Sequence, residues 1–113
     1  MAYDEVLADR MRALLEGRDD VTEKKMFGGL AFLVGGHLAI AASDQGGVLV
    51  RVDPAASDDL VDSTSAEVAV MRGRPMTGWL RVKHESLVDD QELRAWVSRG
   101  SAYAGSLPPK RQR

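Results

Sequence analysis

The sequence predicts an α+β domain of two layers, with one antiparallel sheet and helices on one of its faces. Two observations predict it. Short apolar runs between residues 23 and 52 are separated by Gly28-Gly29, Gly35-Gly36 and Asp44-Gln45-Gly46-Gly47. Those gaps admit only hairpin turns, because a parallel crossover takes about a dozen residues or more. Toward both ends of the chain the apolar residues recur at helical spacing instead.

The elements follow in order. Residues 3–16 read as a helix, with Leu7, Met11, Leu14 and Leu15 on one stripe and Gly17 as its stop. Residues 23–27, 30–34, 37–42 and 47–52 read as four strands. Asp53 caps a short helix opened by Pro54 and faced by Leu60 and Val61. Residues 66–71 and 78–83 read as two further strands, with Arg72–Gly78 as the loop between them because Pro75 interrupts a ladder. The last helix starts at Asp89 or Asp90, where Asp89 and Glu92 have capping-box spacing. Leu93, Trp96 and Val97 form its buried stripe, Tyr103 and Leu107 extend it, and Pro108-Pro109 ends it. The order is helix, strands, helix, strands, helix. Residues 1–107 make a single domain, and residues 108–113 a basic disordered tail.

The chain has 113 residues, enough for one core. Apolar content of 44% with 28% charge is that of a globular protein rather than a disordered one. The absence of cysteine excludes disulfides, thiolate nucleophiles and cysteine metal sites. No apolar run approaches the ~20 residues that span a membrane, so no membrane association is expected. The acidic start, Asp4-Glu5, is unlike a signal peptide, and the expected location is the cytoplasm. A net charge of −2 argues against a strongly nucleic-acid-binding domain. The charge is uneven, however. Acids gather in residues 53–67, and bases in residues 72–83 and the tail.

The chain resembles the N-terminal domain of the TfoX/Sxy family of bacterial competence regulators. The resemblance rests on Lys24-Lys25-Met26-Phe27-Gly28-Gly29-Leu30, Leu49-Val50-Arg51-Val52-Asp53, Arg74-Pro75-Met76 with Gly78-Trp79, Leu93, Trp96 and Ser106-Leu107-Pro108-Pro109-Lys110. It implies a fold like that of type III secretion chaperones, in the order α-β-β-β-α-β-β-α, one strand fewer than the residues themselves suggest before the short helix. The best-known family members act in expression of DNA-uptake genes and carry a second domain resembling helix-hairpin-helix modules. This chain, ending at Arg113, reads as the single N-terminal-like domain. The family supplies no catalytic residues to carry over.

Met26, Phe27, Gly28 and Gly29, with Arg74, Pro75 and Met76, are read as structural markers of the family. Gly28-Gly29 lacks the Lys-Ser/Thr of a phosphate-binding loop and suits a hairpin needing positive φ. Met26, Met71 and Met76 are expected to fill gaps in the core. His37 and His84 lack a second histidine at ligand spacing, and Asp58, Asp59 and Asp62 lack the glycine and final glutamate of a calcium loop. No serine-elbow motif occurs. No catalytic residue, metal or cofactor is assigned, and the chain is expected to be non-enzymatic.

Strand alternation offers one candidate surface. If Val48, Val50, Val52, Leu80 and Val82 face the helices, then Arg51, Trp79, Arg81 and Lys83 share the outer face. A tryptophan among cations there would bind a partner or stack a nucleobase. In the strand 30–34 both faces are apolar, and a homodimer, or else the chain's terminal segments, would cover the second. The leading expectation is therefore a domain acting through protein interaction, as a homodimer or with another protein, in regulation of gene expression or competence. The alternatives are a nucleic-acid-binding protein and a small-ligand-binding protein or small enzyme with a pocket at Arg72–Gly78.

Overall fold

A computed structural model describes residues 3–26 and 28–108. Helix α1 (Glu5–Leu14) begins where the Asp4 carboxylate accepts from the backbone amides of Val6 and Leu7, at 3.0 and 3.1 Å. Four strands follow, β1 (Val21–Met26), β2 (Gly29–Val34), β3 (His37–Ala42) and β4 (Val48–Arg51). Asp53 accepts from the Ala55 amide at 2.9 Å and opens a 3-10 turn, Pro54–Ala56, that runs into α2 (Ser57–Ser63). Strands β5 (Glu67–Met71) and β6 (Arg74–Val82), a short α3 (His84–Leu87) and α4 (Asp90–Ser106) complete the order. Asp89 caps α4 through the Gln91 amide.

The six strands form one sheet in the order β1-β2-β3-β4-β6-β5, every neighbouring pair antiparallel. Four strands, not three, precede α2, so the strand count implied by the secretion-chaperone order is corrected. Residues 21–26 pair with β2 along their whole length.

The expected loop at Arg72–Gly78 is also corrected. The turn occupies only Arg72 and Gly73, and β6 begins at Arg74, opposite Met71. Pro75 is tolerated because β4 ends at Arg51, opposite Trp79. On that side of β6, Pro75 therefore has no ladder to donate to. Helix α3 is an element the periodicity did not predict. With four residues and only Leu87 buried, it shows no repeat.

The helices cover one face of the sheet. Leu7 and Met11 of α1, Leu87 of α3, and Leu93, Trp96 and Val97 of α4 pack on Phe32, Ile40, Val48, Val50, Leu80 and Val82. Trp96 is fully buried at the centre, its indole N–H without a hydrogen-bond partner among the described residues. The Arg99 guanidinium lies 4.5 Å from its ring centroid. Helix α4 crosses β3 closely at Gly100, where a side chain would run into the Ala39 carbonyl oxygen.

Ion pairs brace one edge. Arg12 of α1 donates to both oxygens of Glu23 on β1, at 2.6 and 2.8 Å. That guanidinium holds the Glu23 carboxyl below the usual carboxylate range, as Arg18 does for Asp20. His37 opens β3, and its Nε2 lies 2.6 Å from the Pro108 carbonyl oxygen, tying the end of the α4 segment to the sheet. His84 Nδ1 lies 3.7 Å from Asp4. The expected strand-end role of Phe27 and the expected disorder of residues 109–113 lie outside the described residues.

Candidate functional site

Cross-strand partners share a face, so the pairing fixes the sheet's outer surface residue by residue. One row runs Lys24, Ala31, Ala41, Leu49, Arg81, Glu67 across all six strands. The adjacent row, with Phe32, Ile40, Val50 and Leu80, points into the helix-covered core. The valine and Leu80 faces therefore meet the helices as the alternation predicts.

The outer face carries its own apolar cluster. Ala31, Leu38, Ala41, Leu49 and Ala69 are buried there, with Met26, Leu33, Met71 and Trp79 packed against them. Every member comes from a strand. The sheet curls enough that Met26, on edge strand β1, and Met71, on the opposite edge strand β5, line one cleft. The apolar second side of β2 is thus covered within the chain: Ala31 is fully buried and Leu33 half-buried. Met26 and Met71 fill this outer layer rather than the helix-covered core, and Met76, opposite Ala69, is half-buried.

The cleft has a volume of about 170 Å³. Its floor includes Ala41 and Leu49, and its polar rim is formed by Ser43, Asp44, Gln45 and Arg81. Gly29 lines one side of it, and Gly28 stands next to it in the turn. Gly28 turns the chain at φ +77°, and a side chain there would collide with the Asp44 carboxylate. Gly29 lies against the Ala42 carbonyl, so the β1–β2 turn closes directly over the β3–β4 turn. The sequence had marked Gly28-Gly29 as a hairpin but had not shown which turn it packs against.

Of the four predicted surface residues, Arg51 and Trp79 are cross-strand partners and touch. The Arg51 guanidinium lies 5.3 Å from the Trp79 centroid and 5.5 Å from that of Tyr103 on α4, within cation–π range of both. Trp79 is half-buried in the outer apolar cluster rather than standing clear of the sheet. Arg81 opens onto the cleft, where its Nη1 donates to Ser43 Oγ at 3.3 Å. Lys83 is exposed beyond the end of β6, at the start of α3. Three of the four therefore form two separate features, the Arg51–Trp79 pair, which Arg51 links to Tyr103 of α4, and the Arg81 rim. Arg74, Pro75 and Met76 lie in the β5–β6 hairpin, paired with Met71, Val70 and Ala69. The described family-marking residues thus lie in the β1–β2 and β5–β6 hairpins.

Ser43, Asp44 and Met71 were not singled out as site residues from the sequence. The signal available was the turn Asp44-Gln45-Gly46-Gly47, which lies close to Gly28 only once strand register is known. Among the described residues, no group of three or more histidines and carboxylates is placed to hold a metal ion. None of their helices is long and apolar enough to cross a membrane.

This geometry defines a class: an α+β domain with a curled six-stranded antiparallel sheet, helices on one face and a shallow polar-rimmed cleft on the other. Residues 13–104, nearly the whole chain, match the TfoX N-terminal domain, and the chain belongs to that family. No curated protein matches it.

Proposed function

We propose that this TfoX N-terminal domain is a non-enzymatic cytoplasmic module that acts through protein interaction in regulation of gene expression, and that a second copy of the chain is its first partner. The observation that carries this reading is the contrast between the two edges of the sheet. Edge β1 presents Glu23, Lys24 and Lys25, all exposed, and charges on an edge oppose further strand pairing. Edge β5 has no charge from Val68 to Met71, and Val70 is 58% exposed.

The register shift in the β5–β6 pair supports the same reading. Val68 pairs with Leu80 and Ala69 with Met76, so the extra residues, 77–79, belong to β6. Edge β5 itself stays continuous and available. Two copies of β5 paired antiparallel about a two-fold axis bring the Glu67 end of each beside the Arg72 end of the other. Opposite charges then meet twice. A five-residue edge is a small interface, which fits weak, reversible association better than an obligate dimer.

Affinity capture from native lysate, with and without nuclease, tests the interaction reading. Protein partners retained after nuclease treatment, and lost with Val70→Lys, support it. Partners that disappear with nuclease, and depend on Trp79 and Arg81, point to nucleic acid instead. Turnover of a substrate by the purified protein, abolished by one point substitution, would end the non-enzymatic part.

A further inference from the structure

The outer-face cleft has a donor arrangement that the protein leaves incomplete. Ser43 Oγ accepts two hydrogen bonds, from the Gln45 amide at 3.1 Å and from Arg81 Nη1 at 3.3 Å. Its lone pairs are thus engaged, and its own hydrogen has no acceptor among the described residues. Arg81, half-buried, has no carboxylate within ion-pair distance among them either, although Glu67 is its cross-strand neighbour. A guanidinium N–H and a hydroxyl hydrogen converging at one rim present two donors to an acceptor, and a carboxylate offers two oxygens in that geometry.

The surroundings narrow the ligand. Asp44 lies on the same rim as Arg81, one residue from the serine that Arg81 contacts. Of the residues that line the cleft, Arg81 and Asp44 carry the charges, so the lining is balanced and suits a ligand of no net charge. The walls are the two methionines, flexible and apolar, and the floor is alanine and leucine. About 170 Å³ is below the ~300–1,000 Å³ of sites for drug-sized ligands. It equals the liquid volume of about five or six waters.

We propose that this cleft binds a small apolar α-amino acid as its zwitterion. The carboxylate is held by Arg81 and the Ser43 hydroxyl, the ammonium by Asp44, and the side chain between Met26 and Met71. The site shares Met71 with β5 but uses outer-face side chains rather than the backbone edge, so it is tested separately from the edge pairing.

The test is an NMR titration of the whole chain with L-valine, isovalerate and isobutylamine, following amides of the β1–β2 and β3–β4 turns. Saturable shifts confined to the cleft are expected with L-valine, at least tenfold tighter than with isovalerate or isobutylamine. Arg81→Gln is expected to weaken L-valine binding at least tenfold. Asp44→Asn, an exposed turn position where the fold is kept, is expected to weaken L-valine selectively and leave isovalerate unchanged. Val70→Lys is expected to leave L-valine binding unchanged. Equal binding of L-valine and isovalerate, or an Asp44→Asn variant that binds L-valine normally, would overturn the zwitterion assignment. Absence of saturable shifts with L-valine at tens of millimolar would overturn the site.

Discussion

Two glycines on α4 predict opposite outcomes for the same substitution. Helix propensity alone favours Gly→Ala at both, by about 0.5–1 kcal/mol. At Gly105 the new methyl meets only Arg18 Nη2 at 3.4 Å and Val34 Cγ1 at 3.7 Å, ordinary contacts with side chains that can adjust. Gly105→Ala is therefore expected to stabilise by up to about 0.5 kcal/mol, less than the full propensity because the helix ends at Ser106. At Gly100 the methyl runs into the Ala39 carbonyl oxygen, with its carbon only 3.0 Å away. Methyl-to-carbonyl contacts normally begin near ~3.3 Å, so α4 must lift from β3.

Overpacking of this kind costs about 1–3 kcal/mol. It acts on the helix that carries Trp96 into the core, so the lift loosens more than one contact. Set against the propensity gain, Gly100→Ala is expected to destabilise by about 1–2 kcal/mol. The gap between the two variants should thus be roughly 2 kcal/mol. Urea unfolding, followed by circular dichroism at equal protein concentration, measures it. Equal midpoints for Gly100→Ala and Gly105→Ala would refute the close α4–β3 crossing.

Three further outcomes are expected. Trp96→Ala should cost about 3–5 kcal/mol, because it empties the centre of the core, and thermal unfolding of purified variant reads it. Glu23→Gln should destabilise at neutral pH and match the wild type in acid. A carboxyl held below its ordinary value stabilises the fold above that value and stops doing so as pH falls through its folded value. The difference should therefore shrink as pH falls below the ordinary carboxyl value and vanish below the lowered folded value, and added salt should reduce it at neutral pH. Gly29→Ala should part β2 from β3 at Ala42 and lower the melting temperature by several degrees. Unchanged melting would contradict the packing of the β1–β2 turn on the β3–β4 turn.

Much of the fold was legible because strand and helix periods are local. The alternation in Val48, Val50, Val52, Leu80 and Val82 named the helix-facing side, and the stripe at Leu93, Trp96 and Val97 named the covering helix. The misreadings came from non-local causes. Pro75 looked like a ladder breaker because a sequence does not show that β4 stops short of it. The two apolar sides of β2 looked like an unpartnered face because curling, accumulated over six strands, brings Met26 and Met71 together over it. Arg51 and Trp79 were placed together by alternation, but the contact of Arg51 with Tyr103 required α4 to be docked. The cleft was least legible, since Ser43 and Arg81 are brought together only by strand order.

On the proposed reading, edge β5 pairs with the same edge of a second copy. Sedimentation velocity over micromolar to hundreds of micromolar concentrations tests it most directly, with wild type and Val70→Lys side by side. Edge pairing predicts reversible dimerisation of the wild type and a monomeric, equally folded Val70→Lys. A wild type that remains monomeric at tens of micromolar and above, or a dimer unaffected by the lysine, would contradict it.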